Sequence, residues 1–413
     1  MPATLNYIDL FAGAGGLSEG FKKAGFNPIA HVEIDSNACK TLKTRTAFHF
    51  LKKEGKEHIY NQYIRQEITV EQLYENVPRR ELNSVLNVEI SADTLDGIFK
   101  DIDKLKGDQK IDLIVGGPPC QAYSLVGRAR MGHENVKNDK RYVLYRYYGE
   151  FLRKYKPLYF VFENVQGLLS AEQGQLVKTI ESFLEECGYK VKYKLIDTSD
   201  YGVLQKRKRV ILIGKRGTKD FEYPELKEDK LSKWNVSTAL FKDLKKINAG
   251  DEKILKPYAS KNINSYLADY GIRNGLDLVS QHIARPHIQR DLDIYSIAID
   301  KWINYNERLK YNDLPKALKT HNNEKSFLDR FKVVDPYSFS HTVVAHIGKD
   351  GHYFIYPDIN NPRSISVREA ARIQSFPDDY FFEGGRTSAF KQIGNAVPPQ
   401  MAKIIADAIK SLY

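Results

Sequence analysis

The chain has little cysteine: three residues in 413, Cys39, Cys120 and Cys187. They are odd in number and far apart, which suggests neither a disulfide framework nor a zinc site and fits a reducing compartment. No stretch approaches the roughly 18 consecutive apolar residues of a membrane span. The N-terminus passes straight into Leu5-Asn6-Tyr7-Ile8-Asp9-Leu10-Phe11, without the basic and apolar regions of a secretion signal. A cytoplasmic protein with no membrane partner is expected. Internal repeats and low-complexity tracts are also lacking. Acidic excess is absent: 63 Lys+Arg against 52 Asp+Glu leave a formal charge of +11. That balance suits a polyanionic partner, or simply a basic enzyme. Residues 216–362 are close to balanced, so charge does not single them out as a nucleic-acid surface.

What is present is a chain long enough for two domains, organised around Gly116-Gly117-Pro118-Pro119-Cys120-Gln121. This turn follows Ile111–Val115, a short apolar run that reads as a buried parallel strand. Two glycines permit close approach, and two prolines fix φ and stop the strand. A cysteine held past the carboxyl end of a strand is either a nucleophile or a small buried hydrophobe, and the stiff turn favours the nucleophile.

Upstream, a strand at 6–10, the turn Phe11-Ala12-Gly13-Ala14-Gly15-Gly16 and a helix through Leu17, Phe21 and Ala24 form the first unit of a nucleotide-binding α/β fold. The glycine spacing is not that of a dinucleotide fingerprint. A second strand, Pro28–Val32, ends in Glu33-Ile34-Asp35; Asp35 suits the N-cap of a helix over 36–43, and Glu33 is the better ribose ligand. Residues 44–95 read as an inserted helical or partly mobile excursion, and Lys100-Asp101-Ile102 as part of a short strand or turn.

Downstream, the polar segment Gln121–Asn138, with Ser124, Arg128 and Arg130, reads as a mobile loop over a site or as a solvated loop. A tyrosine-rich helix at 142–155 precedes the strand Pro157–Phe162, which ends in Glu163-Asn164-Val165. A carboxylate at that level is costly unless paired or functional. Helix 173–186 and strand 190–196 follow. In Gln205-Lys206-Arg207-Lys208-Arg209, strand alternation sets both arginines on one side, able to serve one site. A strand over 210–214 closes this part. From about 216 the character changes to a polar second domain. Helices are expected at 262–269 and 284–310, and two strands at 340–346 and 352–356. A capped helix begins at Ser366. Gly394-Asn395-Ala396-Val397-Pro398-Pro399 reads as a ligand loop before a closing helix at 401–412.

These motifs, together with Arg368-Glu369-Ala370-Ala371-Arg372, occur in the order found in DNA (cytosine-5) methyltransferases, and the chain most resembles the bacterial restriction–modification type. The resemblance covers 1–43, 96–215 and about 340–413. It implies an α/β, Rossmann-like domain that binds S-adenosylmethionine, with no metal, plus a smaller target-recognition domain. The catalytic domain would span 1–215, the recognition domain 216–385, and residues 386–413 would return to the first. Cys120 would be the nucleophile, Glu163 would protonate or hydrogen-bond ring nitrogen 3 of cytosine, and Arg209, or else Arg207, would bind the base carbonyl. Phe11, Gly13, Gly15, Gly16, Glu33, Ile34, Asp101, Pro118 and Asn395 would line the cofactor. Gln121, Ser124, Arg128 and Arg130 would belong to the loop closing on DNA. Two departures stand out: the long 44–95 segment, and the aliphatic Ile34 where some members carry an aromatic.

Duplex DNA is the expected partner, a cognate restriction endonuclease a further one, and a monomer the expected state. The same chemistry on transfer RNA, and a catalytically silent DNA-binding regulator, are the competing readings. A dinucleotide-dependent oxidoreductase is disfavoured by the glycine spacing.

Overall fold

Alternation along the first strand decides the layering. In β1 (Asn6–Leu10), Tyr7 points to one face while Ile8 and Leu10 point to the other. The computed structural model describes residues 4–119, 144–319, 325 and 328–413. Within it, β1 is joined by β2 (Asn27–Glu33), β3 (Val85–Asn87), β4 (Leu113–Gly116), β5 (Tyr159–Val165), β6 (Tyr189–Asp197) and β8 (Lys208–Arg216). They form one seven-stranded sheet in the order β3-β2-β1-β4-β5-β8-β6. The pairs among β1 to β5 are parallel, and β8 runs antiparallel between β5 and β6. A two-residue strand, β7 (Gln205–Lys206), precedes β8.

The Tyr7 face packs under α1 (Gly16–Lys23) and the last helix (Pro399–Lys410), through Phe21, Met401 and Ile405. These helices cross so closely that a Cβ on Gly20 would lie 2.4 Å from the Ala402 Cβ. Between them in sequence come α2 (Ser36–Lys53), α3 (Glu57–Ile64), α4 (Val70–Glu75), α5 (Arg79–Asn83), α6 (Leu95–Lys106), α7 (Leu144–Tyr155) and α8 (Gln175–Glu186). Helices α6, α7 and α8 cover the opposite face, where Ile102, Tyr148 and Ile180 meet Ile8, Ile114 and Phe160. The parallel strands β1, β4 and β5 at the centre of the sheet are thus buried on both sides, as parallel strands require, while the antiparallel edge strand β6 is partly exposed.

The segment 44–95 is an ordered helical body. Helix α2 runs ten residues beyond the expected Lys43. Asp35 caps it as expected, its carboxylate accepting from the N–H groups of Asn37 and Ala38. With α3 and α4 it encloses a small core of Phe48, Leu51, Tyr60, Ile64 and Leu73, and α5 leads into β3 at the sheet edge. Lys100-Asp101-Ile102 is neither strand nor turn; it lies inside α6, where Ile98 and Ile102 recur at helical spacing and are buried.

The second body follows β8. It contains the antiparallel pair β9 (Leu255–Pro257) and β10 (Leu278–Ser280), α9 (Ser265–Asp269) and α10 (Gln289–Tyr305), the last shorter than the 284–310 expected. The expected strand pair at 340–346 and 352–356 reduces to β11 (Ser340–His341), followed by a 3₁₀ turn over Ala345–Gly348. Strand β11 pairs parallel with β7 instead of with its own neighbour. Then come α11 (Val367–Ile373), with the expected Ser366/Glu369 capping box, α12 (Arg386–Asn395) and α13, the closing helix. Contacts with the first body begin before residue 386. The Tyr380 hydroxyl donates to the Ala14 carbonyl, and Arg45 Nη1 meets Asp379 Oδ1 at 2.9 Å.

The arginines of α11 hold the second body together. Arg372 lies at 0% exposure between two carboxylates, 2.6 Å from Asp243 and 2.6 Å from Asp378. Burial alone would raise the Asp378 carboxyl, but Arg372 overrides it and holds it below its ordinary value. This stabilisation is present at neutral pH and is lost as pH falls through the lowered value. Arg372→Met should cost about 3–5 kcal/mol, because it removes the nearest cation from two buried carboxylates, leaving Asp243 with Arg273 at 3.1 Å and Asp378 with the Tyr258 hydroxyl at 2.7 Å. Urea unfolding at neutral pH measures this; a loss below about 1 kcal/mol would mean the pairing adds little.

Candidate active site

The reversal of strand order falls between β1 and β4, and ligands bind beyond the carboxyl ends of the strands at such a point. The backbones there are unusually close: a Cβ on Gly116 would lie 2.4 Å from the Leu10 carbonyl oxygen. Only glycine fits. The next residue, Gly117, faces β5, where its missing Cβ would lie 2.6 Å from Glu163 Oε2. Asn164, 1% exposed, donates from Nδ2 to the Pro118 carbonyl at 3.3 Å and pins the turn to β5. Cys120, Gln121, Ser124, Arg128 and Arg130 lie outside the described residues.

Glu163 and Arg209 come together through sheet register. Glu163 is opposite Ile211 and Val165 is opposite Arg209, so Glu163 and Arg209 are diagonal neighbours. Arg209 Nε meets Glu163 Oε1 at 2.7 Å, each side chain 13% exposed. The bonded oxygen faces the arginine, while Oε2 faces the Gly117 turn that leads to Cys120. A carboxyl group and a guanidinium therefore share one mouth.

Arg207 does not join them. It is 1% exposed and donates from Nη1 to the Val343 carbonyl at 2.6 Å and from Nη2 to those of Gly394 and Ala396 at 3.2 and 3.0 Å. Alternation gave it a direction, but three carbonyls from the C-terminal half take up its terminal nitrogens. Against the expectation from strand alternation, the two arginines are not brought to one place: Arg209 meets Glu163, and Arg207 binds backbone carbonyls.

The glycine-rich turn is built for a ligand. Phe11 has φ 56° and Gly13 φ 55°, and nothing lies within 4 Å of where a Gly13 Cβ would stand. Gly15, with φ 79°, precedes α1, and a Cβ on Gly16 would lie 2.2 Å from the Val397 carbonyl oxygen. The 394–398 loop therefore sits directly against the turn. Glu33 Oε2 accepts from Gly13 N–H at 2.8 Å and Oε1 from Asp35 N–H at 2.8 Å. Burial pushes its carboxyl up, and the backbone N–H groups of Asp35, Gly13 and Ile34 only partly offset this. Ile34 is 59% exposed, unusual for its type, at the end of β2. Asn395 is exposed at the end of α12. An open glycine turn, an acid with free lone pairs and an exposed apolar side chain fit a nucleoside with a diol and a base.

Asp101 is not brought to this edge. It is exposed within α6, in its second turn. Sequence reasoning missed β3, which pairs with β2 beside Ile34. Asn87 at its end donates from Nδ2 to the carbonyls of Glu33 and Ile34, and Glu89, exposed, follows two residues later. The signal was a three-residue apolar patch, Val85-Leu86 and Val88, in an otherwise polar stretch.

Comparison with known families decides what the edge is. The model for C-5 cytosine-specific DNA methylases matches residues 5–71 and 87–411. The chain belongs to that family. It is a DNA (cytosine-5-)-methyltransferase, and use of S-adenosylmethionine follows from the family and fold. It is 42% identical to the type II methyltransferase M.Bpa9945I of Bacillus paralicheniformis over 98% of each chain. It is 31% identical to the type II methyltransferase M.DdeI of Desulfomicrobium norvegicum, over 98% of this chain and 88% of that one. An E. coli prophage protein described as a DNA modification methyltransferase has the same fold, with a TM-score of 0.63, 23% identity and 99% coverage of both chains. The 15 residues between the two matched stretches fall in the helical body, over the end of α4, α5 and the start of β3. Among the described residues no helix is long and apolar enough to cross a membrane.

The methyltransferase should be sensitive to any side chain at Gly117. Gly117→Ala places a methyl group against Glu163 Oε2, so methyl transfer to DNA should fall by about tenfold or more, with the thermal midpoint little changed. Unaltered turnover would mean that Glu163 need not keep this position.

Proposed function

We propose that the enzyme methylates carbon 5 of one cytosine in a specific duplex sequence, through a covalent Cys120 adduct on a flipped base. The observation that carries this reading is the Glu163–Arg209 pair, with Glu163 Oε2 turned to the turn that ends in Cys120. Carbon 5 of cytosine is a poor nucleophile until a thiolate adds to carbon 6. The Cys120 thiolate forms that bond, and electron density moves toward ring nitrogen 3. Glu163 donates a proton or hydrogen bond to that nitrogen from Oε2, and Arg209 holds the base carbonyl oxygen. When bound, S-adenosylmethionine supplies the electrophilic methyl group. A base then removes the carbon-5 proton, and β-elimination returns the electron pair to the Cys120 sulfur. These atoms are buried in the duplex stack, so the base must leave it.

Phe11, Gly13, Gly15, Gly16 and Pro118 line the methionine end, Glu33 holds the ribose diol, Ile34 packs on adenine and Asn395 closes the pocket. The acceptor for the adenine amino group belongs to the end of β3, where Glu89 stands, and not to Asp101. The body between β8 and α11 reads the DNA sequence, because duplex recognition needs a module that reaches the base edges in a groove. The type II names of its relatives support a role in protecting DNA from a cognate endonuclease.

Bisulfite sequencing of genomic DNA treated with enzyme and S-adenosylmethionine should give protected cytosines in one recurring sequence. Cys120→Ser should give none while still binding DNA; protection by that variant would end the covalent mechanism. As pH falls, Glu33 protonates sooner than an ordinary carboxylate and ceases to accept from the ribose. Calorimetry should therefore find affinity for S-adenosylhomocysteine declining on the acid side, and weaker but flatter in Glu33→Gln. Equal affinities for the two proteins would remove Glu33 from the cofactor site.

A further inference from the structure

A buried polar network joins three parts of the chain that the proposed reaction keeps separate. Both peptide groups flanking the Val343 Cα are held from the β7–β8 junction. Its N–H donates to Gln205 Oε1 at 2.6 Å, and its carbonyl accepts from Arg207 Nη1 at 2.6 Å. Arg207 Nη2 reaches the carbonyls of Gly394 and Ala396, on either side of Asn395. Gln205 Nε2 donates to Gln374 Oε1 at 2.7 Å, and Gln374 Nε2 donates to the Ile393 and Ala396 carbonyls at 2.6 and 3.2 Å. Gln205 and Gln374 are wholly buried.

The physical need is plain on the α12 side. The last four carbonyls of a helix have no partner within it, and a cation at that end is favoured by the helix dipole. Arg207 satisfies the carbonyl of Gly394, in the last turn of α12, and that of Ala396 just beyond it. Gly394 has no side chain because the backbone of the recognition body passes there: a Cβ would lie 2.3 Å from the Ala345 nitrogen and from the Val344 carbonyl carbon. Val343 and Val344 follow β11, where the chain returns from the second body to β7. The position of that return is thus bound to the position of Asn395.

We infer that Arg207 is a positioning residue that couples docking of the recognition body on DNA to closure of the cofactor pocket by Asn395. It touches neither base nor cofactor. The inference rests on Asn395 lining that pocket. Lysine cannot replace it, since one ammonium cannot span three carbonyls in a planar fork.

The test is calorimetric binding of S-adenosylhomocysteine to wild type, Arg207→Lys, Asn395→Ala and the double variant, with and without a short duplex bearing the sequence mapped by bisulfite conversion. Arg207→Lys should weaken binding by about tenfold or more, the scale of lost charge-assisted hydrogen bonds. Its effect should not add to that of Asn395→Ala, as expected for residues acting as a unit. Wild type should bind more tightly with the duplex than without it, and in Arg207→Lys that difference should disappear. Wild-type affinity in Arg207→Lys, or full additivity, overturns the inference. A wild type that does not bind S-adenosylhomocysteine overturns the cofactor reading beneath it. Hydrogen exchange on the unmodified protein gives a check independent of any variant's folding. DNA alone should change amide protection at Val343 and across 394–397 together. A change at Val343 without one at 394–397 overturns the coupling.

Discussion

The close approach of β1 and β4 is the constraint on which the rest depends. Where the Gly116 Cα faces the Leu10 carbonyl there is no room for one carbon atom. This brings the carboxyl ends of the two strands, and the glycine-rich and Pro-Pro turns that leave them, into one crevice at the reversal of strand order. The C-terminal chain obeys the same constraint, because Gly16 leaves space only for the Val397 carbonyl. Substituting either glycine would separate the walls of the pocket before touching any reacting group.

Charge is distributed around this crevice by burial. Arg209, partly exposed, holds Glu163 through Nε and donates from Nη1 to the Lys208 carbonyl at 2.8 Å. Arg207, one position outside β8, is fully buried and binds carbonyls. Arg368 and Arg372, deeper in the second body, also serve structure: Arg368 binds the carbonyls of Ser280, Pro377 and Tyr380, and Arg372 binds carboxylates. A buried guanidinium is tolerable only when its donors are satisfied. One residue type therefore does different work according to depth. Such depth is invisible in a run such as Gln205-Lys206-Arg207-Lys208-Arg209.

This explains where the sequence was legible. The runs at 28–32, 111–115 and 210–214 are mostly apolar and stop at glycine or charge, and the run at 6–10 leads into the glycine-rich turn, so the strands and their order along the chain could be read locally. Asp35 and Ser366 could be read as caps because capping is local chemistry. Three residues of β3 in a polar stretch could not, because pairing with β2 supplies their reason for being a strand. Asp101 was assigned from the resemblance and read as strand or turn, whereas the i,i+4 pair Ile98 and Ile102 already pointed to a helix. The pairing of Glu163 with Arg209 needed the antiparallel register of β8, a relation between segments far apart in the chain.

The central claim is that the turn beside Glu163 carries a nucleophile that bonds to cytosine. Fluorine at carbon 5 cannot be removed as a proton, so an adduct formed on 5-fluorocytosine should persist. The direct measurement is mass spectrometry of the enzyme after incubation with S-adenosylmethionine and duplex DNA copied from genomic template with 5-fluorocytosine in place of cytosine. The account predicts a covalent protein–DNA species whose nucleotide maps to Cys120. Methylation of ordinary DNA by the same preparation, with no covalent species on the fluorinated duplex, would contradict it.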